Sequence, residues 1–383
     1  MEPKIRFKGF EGEWKALPIT EIASLKAGKS FNKLDAVDTP TTGYYPCYGG
    51  NGQRGYLPYY NQNGKYNIIG RQGALCGCVN VAEGKFYATE HAVIVTPITI
   101  TDFEFLHESL VRANINQYAT GAAQPGISVT NVNSQLSLNY PLYEEQKAIG
   151  KYFTSLDSQI SASTSRLASL KQMKAASLQT MFPQEGETVP KVRFKGFEEE
   201  WKKVKFSELY ERSSIKNDLS FGADKIISVA NMYFIKNSRQ VDDDYLRSYN
   251  IMRLGDIAFE GNKSKDFAHG RLVENTIGDG IVSHVFVVMK PKSKKYDLNF
   301  WKYYINNENI MGNILIRSTK SSTMMTDLVI DDFLKESILV PSYEEQVEIG
   351  KILTSLDHQI TLQTQRLEKL KQIKSACLDK MFV

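Results

Sequence analysis

Cysteine is scarce. Four residues, at positions 47, 76, 78 and 377 of 383, are too few and too scattered for a disulfide framework. Cys76-Gly77-Cys78 has no second pair to complete a zinc site, and five histidines in the whole chain do not make up the deficit. The thiols therefore read as ordinary small residues, and a cytoplasmic, reducing setting is expected. No apolar run reaches the roughly 18 residues of a membrane span, so no membrane partner is expected. Met1-Glu2-Pro3-Lys4 lacks the apolar core of a signal peptide. A net charge of +4 is too small to indicate nucleic acid by itself. What the chain does have is 42% apolar and 11% aromatic residues, enough to build two or three cores at this length.

Catalytic signatures are equally sparse. Ala27-Gly28-Lys29-Ser30 matches only the end of a phosphate-binding loop, whose first glycine is replaced by Ala23. Asn139-Tyr140-Pro141-Leu142 is a partial match to an amino-methyltransferase motif, and the second copy, Leu339-Val340-Pro341, has no Asn. Glu13-Trp14-Lys15 and Glu200-Trp201-Lys202 match the tail of a nuclease signature without its upstream Pro-Asp. His284, within an apolar run, is expected in a core. No triad, metal cluster or glycine-rich cofactor fingerprint stands out, so the chain reads as a binder with no catalytic residue and no cofactor or metal of its own.

The strongest positive feature is an internal repeat. Pro141-Leu142-Tyr143-Glu144-Glu145-Gln146 through Met181-Phe182 recurs, offset by 200 residues, as Pro341-Ser342-Tyr343-Glu344-Glu345-Gln346 through Met381-Phe382. Each copy reads as one long helix, with proline ahead of it and paired glutamates in the first turn, where the helix dipole favours negative charge. Ile149, Phe153, Leu156, Ile160, Leu167 and Leu170 follow heptad spacing, as do Ile349, Leu353, Leu356, Ile360, Leu367 and Leu370. About 38 residues at ~1.5 Å each make a rod of about 57 Å. Such a rod needs a partner for its stripe, and an antiparallel coiled coil of the two copies is expected. Ser163 opposite Gln363 and Lys174 opposite Lys374 would fix its register. A generic dimerisation coiled coil is the alternative.

A second repeat weakens that alternative. Phe7-Lys8-Gly9-Phe10 with Trp14 returns as Phe194-Lys195-Gly196-Phe197 with Trp201, offset by 187 residues. The ends of the halves are alike and their middles differ. The expected fold is α+β: two globular domains separated by two long antiparallel helices, with pseudo-two-fold internal symmetry. The boundaries are 1–140 for the first domain, 141–182 for the central helix and 183–190 for a polar linker. The second domain is 191–340, and 341–383 is the C-terminal helix. Further expectations are a strand or hairpin over 4–19, a short helix from Thr20, single helices over 102–118 and 299–313, and strands over 134–139, 225–229 and 280–289.

Local charge points to a ligand. No acidic residue lies between Asp38 and Glu83, where Arg54, Lys65 and Arg71 sit among Tyr, Asn, Gln and Gly. Residues 109–143, around the loop bearing Gln124, are also acid-free, as are 309–326 with Arg317 and Lys320. Cations meet phosphates, Arg reads guanine in bidentate fashion, and Asn or Gln reads adenine. The candidate DNA contacts are Tyr48, Asn51, Gln53, Arg54, Lys65, Arg71, Gln72 and Gln124 in the first half. In the second they are Asn262, Lys263, Lys265, Arg271, Arg317, Lys320 and Ser321.

The repeated residues, Phe-Lys-Gly-Phe…Trp and Pro-x-Tyr-Glu-Glu-Gln…Leu-Asp-x-Gln-Ile, together with Gln124-Pro125-Gly126-Ile127-Ser128, resemble the specificity subunit of type I restriction–modification enzymes. The likeness covers nearly the whole chain, although Met324-Met325-Thr326-Asp327 departs from it in the second copy. The resemblance implies two target recognition domains that read the halves of a bipartite, asymmetric double-stranded DNA site. It also implies that the helices, including Glu144, Gln146, Glu344 and Gln346, form a spacer that docks two modification subunits, to which restriction subunits join. S-adenosylmethionine, ATP and Mg would belong to those partners. A coiled-coil adaptor that binds only proteins, and a self-sufficient methyltransferase or nuclease, are the rival readings.

Overall fold

The strand that opens each half pairs with the strand that closes it. In the computed structural model, which describes residues 2–73, 75–121, 125–236, 242–293, 295–321 and 325–382, Lys15–Pro18 runs antiparallel to Ser137–Tyr140. Lys202–Lys205 does the same with Ser337–Val340. The helices that build the cores are α1 (Phe103–Arg112), α2 (Tyr143–Thr180), α3 (Leu298–Tyr304), α4 (Glu308–Ser318) and α5 (Tyr343–Met381). The chain forms two units, residues 1–165 with 365–383 and residues 166–364, so α2 and α5 each contribute residues to both.

The first unit is layered. A four-stranded antiparallel sheet has the order Ala23–Ala27, Ala92–Pro97, Tyr66–Gly70, Val79–Ala82. Strand alternation sends Ile69, Val93 and Val95 to one face, against Leu106 and Leu110 of α1. Ile68, Ala92 and Ile94 go to the other face, where Phe86 and Tyr48 of a second sheet meet them. That second sheet contains a parallel pair, Tyr45–Gly49 beside Lys85–Ala88. Asp102 caps α1 by accepting from the Phe105 amide at 2.9 Å.

The second unit repeats the order with Tyr210–Ser213, Val287–Pro291, Ile257–Glu260 and Arg271–Glu274. Asp297 caps α3 through the Phe300 amide at 2.7 Å. The single helix expected over 299–313 is two helices. Asn307 accepts from the Asn309 amide at 3.1 Å and starts α4 as its own N-cap.

Within each unit the long helices pack antiparallel. In the first, the ring centres of Phe153 and Phe382 lie 5.8 Å apart and the Tyr152 hydroxyl lies 3.4 Å from Cys377 Sγ, within a cluster that holds Ile149, Leu156 and Leu370. In the second, Met181 and Phe182 share a core with Ile349 and Leu353. Lys174 and Lys374, expected to face each other, are each paired with carboxylates of their own unit. Lys174 pairs with Asp357 at 2.5 Å, and Lys374 pairs with Asp157 at 2.7 Å and Glu108 at 2.8 Å. Ser163 and Gln363 are buried.

Other expectations change in detail. Residues 4–14 form turns, with Gly9 and Gly12 at φ 98° and 84°, and only Lys15–Pro18 is strand. The helix near Thr20 is one turn, Ile19–Ile22, followed by strand. Residues 102–118 hold α1 and a separate 3-10 turn, Ile115–Tyr118. Val129–Gln135 is a helix where a strand from 134 was expected. Residues 225–229 hold only the two-residue strand Ile227–Ser228. The run 280–289 is two strands, and His284 sits exposed in the turn between them rather than in a core.

Candidate nucleic-acid interface

In the first unit the hairpin Tyr45–Gly49 to Gly52–Leu57 folds against the exit of the strand Tyr66–Gly70. A cleft of about 390 Å³ results, lined by Gly49, Gly50, Asn51, Arg54, Gln72, Gly73 and His91. Backbone contact builds it. A Cβ on Gly70 would stand 2.0 Å from the Gly50 carbonyl oxygen, and one on Gly50 would stand 2.5 Å from that of Gln72. Only hydrogen at these two positions lets the segments close.

Three expected contacts, Asn51, Arg54 and Gln72, thus line one cleft, and all three are exposed. Gln53 is exposed in the adjoining strand. The Arg54 guanidinium lies 5.4 Å from the centre of the Phe31 ring. Tyr48 is half-buried against Phe86, and that burial raises its pKa. Arg71 is tethered, giving Nε–H to the Ile127 carbonyl at 3.3 Å and Nη1–H to that of Glu90 at 3.4 Å. Lys65 lies elsewhere, 2.5 Å from Glu104 and 4.4 Å from the centre of the Phe103 ring. Gln124 lies outside the described residues. The segment after it is stitched to the cleft: the Gly73 amide donates to Pro125 at 3.1 Å and the Ile127 amide to Arg71 at 2.8 Å.

In the second unit Asn262, Lys263, Lys265, Lys320 and Ser321 are exposed. Lys263 Nζ reaches Ser321 Oγ at 2.6 Å, so the loop of residues 261–265 meets the hairpin Thr319–Ser321 with Thr326–Leu328. Arg271 gives Nε–H to Glu260 at 2.9 Å, and its guanidinium stacks 4.9 Å from the Phe267 ring centre. Arg317 is engaged in a two-bond pair with Glu336, at 2.9 and 2.7 Å. The loop residues are thus gathered, while Arg271 and Arg317 face carboxylates of their own unit.

The long-helix residues divide by role. Glu144 and Glu344 are exposed at the first turns. Gln146 is buried, its Oε1 accepting from the Asp102 amide at 3.1 Å and its Nε2 donating to Pro141 at 2.9 Å. Gln346 is used the same way, accepting from the Asp297 amide at 3.3 Å and from Trp301 Nε1 at 3.1 Å. Leu156, Leu170, Leu356, Leu367 and Leu370 are buried, and Ile160, Leu167 and Ile360 half-buried. Arg6 and Arg193, which sequence reasoning passed over, hold Glu145 and Glu345 in matching pairs. The signal was present: the repeat begins at Lys4-Ile5-Arg6-Phe7 and Lys191-Val192-Arg193-Phe194, an arginine earlier than the apolar motif.

The partial catalytic motifs are occupied structurally. The Gly28 and Lys29 amides donate to Ala92 and Ala88, at 2.9 and 3.0 Å, so they do not form a phosphate cradle. The Tyr140 hydroxyl donates to the Ile100 carbonyl at 2.9 Å. Cys76 and Cys78 are free thiols facing different groups, Asn116 and Gly50. Among the described residues no cluster of His, Cys, Asp and Glu could hold a metal, and no helix is long and apolar enough to cross a membrane.

Comparison with known proteins gives consistent matches. The type I restriction enzyme EcoprrI specificity subunit of Escherichia coli is 38% identical over 154 residues, 40% of this chain. The match spans 38% of that relative's length. The type I restriction-modification S subunit from M. genitalium has the same fold, with a TM-score of 0.68 at 15% identity over 100% of this chain and 99% of that one. A chain from a structure addressing complex assembly and conformational transition of the type I R-M system aligns at a TM-score of 0.50 and 13% identity, over 97% and 98%. The model of the type I restriction modification DNA specificity domain matches residues 11–172 and again 198–372, and with both halves covered the chain belongs to that family.

Proposed function

We propose that the chain is the DNA-reading subunit of a type I restriction–modification complex, each unit reading one half of a bipartite, asymmetric site. The observation that carries this reading is the cleft that collects Asn51, Arg54 and Gln72, with no carboxylate among its lining residues. A guanidinium and two carboxamides are the groups that meet phosphates and base edges. Unlike loops in the two units support unlike half-sites. The exposed parts of α2 and α5, Glu144 and Glu344 among them, would carry two modification subunits, and α2 and α5 would set the gap between half-sites. S-adenosylmethionine, ATP and Mg would be held by the modification and restriction subunits, which perform adenine methylation and cleavage in the cytoplasm.

The test is single-molecule sequencing of adenine methylation in the source cell with and without this gene. Loss of one bipartite motif on deletion is expected. An unchanged methylome with the partner genes expressed would sink the reading and favour an adaptor that binds only proteins.

A further inference from the structure

We infer that Gln72 and Asn262 are corresponding base readers of the two units, each placed to meet the major-groove edge of an adenine. This deepens the DNA-reading function proposed above and rests on it. The strands Tyr66–Gly70 and Ile257–Glu260 occupy the same place, third, in two sheets of identical order. Each runs out into the segment that follows the unit's helices. In the first unit the Arg71 carbonyl accepts from the Ile127 amide at 2.8 Å, and Gln72 bridges to Gly126. In the second, the Gly261 carbonyl accepts from the Thr326 amide at 2.8 Å, and Asn262 bridges to Met325. Arg71 therefore corresponds to Gly261, Gln72 to Asn262 and Gly73 to Lys263. Of these three positions only the middle one keeps its chemistry, an exposed carboxamide in both units.

The surroundings of Asn262 suit it to a base edge. Its Nδ2 gives one hydrogen to Glu260 Oε1 at 2.8 Å, and the other oxygen of Glu260 is held by Arg271 at 2.9 Å. This fixes the amide plane and, among the described residues, leaves one N–H and the Oδ1 acceptor for a ligand. Adenine presents one acceptor, N7, beside one donor, N6–H, which is the complement of what remains on Asn262. Gln72 offers the same pair on a longer stem, with no hydrogen bond to its amide among the described residues.

The test is methylome sequencing of source cells carrying Gln72→Ala or Asn262→Ala in the full-length gene, with the protein's abundance and melting temperature checked. Asn262→Ala is expected to relax one position in one half of the motif, cutting discrimination there about tenfold. Gln72→Ala should relax one position in the other half. Gln72→Glu should shift the preferred base towards cytosine, whose N4–H donates to a carboxylate. Wild-type motifs in both alanine variants, relaxation of the same half by both, or uniform loss of methylation with no relaxed position would each overturn the inference. If deletion of the gene itself leaves the methylome unchanged, the DNA-reading function falls, and this inference with it.

Discussion

Arg193 grips Glu345 through two parallel hydrogen bonds, Nε to Oε1 at 2.7 Å and Nη2 to Oε2 at 2.8 Å. The carboxylate side chain is 1% exposed, so its charge is compensated by the guanidinium rather than by water. Removing one member of such a pair costs more than the pair contributes, because the survivor stays buried and charged. Arg193→Ala should therefore destabilise the chain by about 3 kcal/mol in chemical denaturation. The double variant Arg193→Met with Glu345→Leu should recover most of that loss.

Lys374 supplies a similar service to Glu108, whose side chain is 2% exposed. Burial already lifts the Glu108 pKa above its usual value, while Lys374 pulls it down. Lys374→Met leaves the burial effect unopposed on that side, so the folded carboxyl holds its proton to higher pH than the unfolded one. A folded state that binds more protons loses stability as pH rises. The variant should be nearly tolerated at pH 5 and cost about 2 kcal/mol at pH 8. Thermal melts at the two pH values check this.

Burial also raises Glu274, to about 9, more than its hydrogen bond from Tyr296 lowers it. Asp297 adds to the rise and Lys302 opposes it, and the Tyr296 hydroxyl is shared with that of Tyr210 at 2.8 Å. The folded carboxyl is protonated at neutral pH and the unfolded one is not. Its stabilising effect is full below the usual value of 4.5 and drains away as pH climbs towards 9. Glu274→Gln removes the titration. The variant should melt several degrees above the parent at pH 8, and the gap should close near pH 4.

The heptad stripe was legible because Ile149, Phe153, Leu156 and their copies declare a period without reference to anything distant. That the two stripes pack together followed from needing cover, and the antiparallel direction from a pseudo-two-fold relation between the halves. Pairings between residues far apart in sequence were not legible. Arg6 and Glu145 stand 139 residues apart, and nothing local marks them as partners. Lys65 and Glu104, 39 residues apart, pair without any local mark in the sequence. The break between α3 and α4 turned on one side chain, Asn307, reaching back to cap. The correspondence of Gln72 with Asn262 was hidden because their offset, 190 residues, differs from the 187 and 200 of the flanking repeats. Sheet order and the matching bonds from Ile127 to Arg71 and from Thr326 to Gly261 align them.

The difference between Arg54 and Lys65 yields a sharp test of where nucleic acid binds. Both are cations of the same acid-free stretch, yet Arg54 lines the cleft while Lys65 is paired to Glu104. A side chain that neutralises a phosphate releases a counterion, so its loss should lower the slope of log affinity against log salt by about 0.9. Arg54→Ala in the full chain should weaken binding to duplex DNA severalfold at low salt, with that slope change. Lys65→Ala should leave both affinity and slope unchanged, because its charge is already spent inside the unit. Fluorescence anisotropy across a salt series separates the two. Equal losses for both variants would mean diffuse attraction to a basic surface, and would remove the cleft's claim to be the binding site.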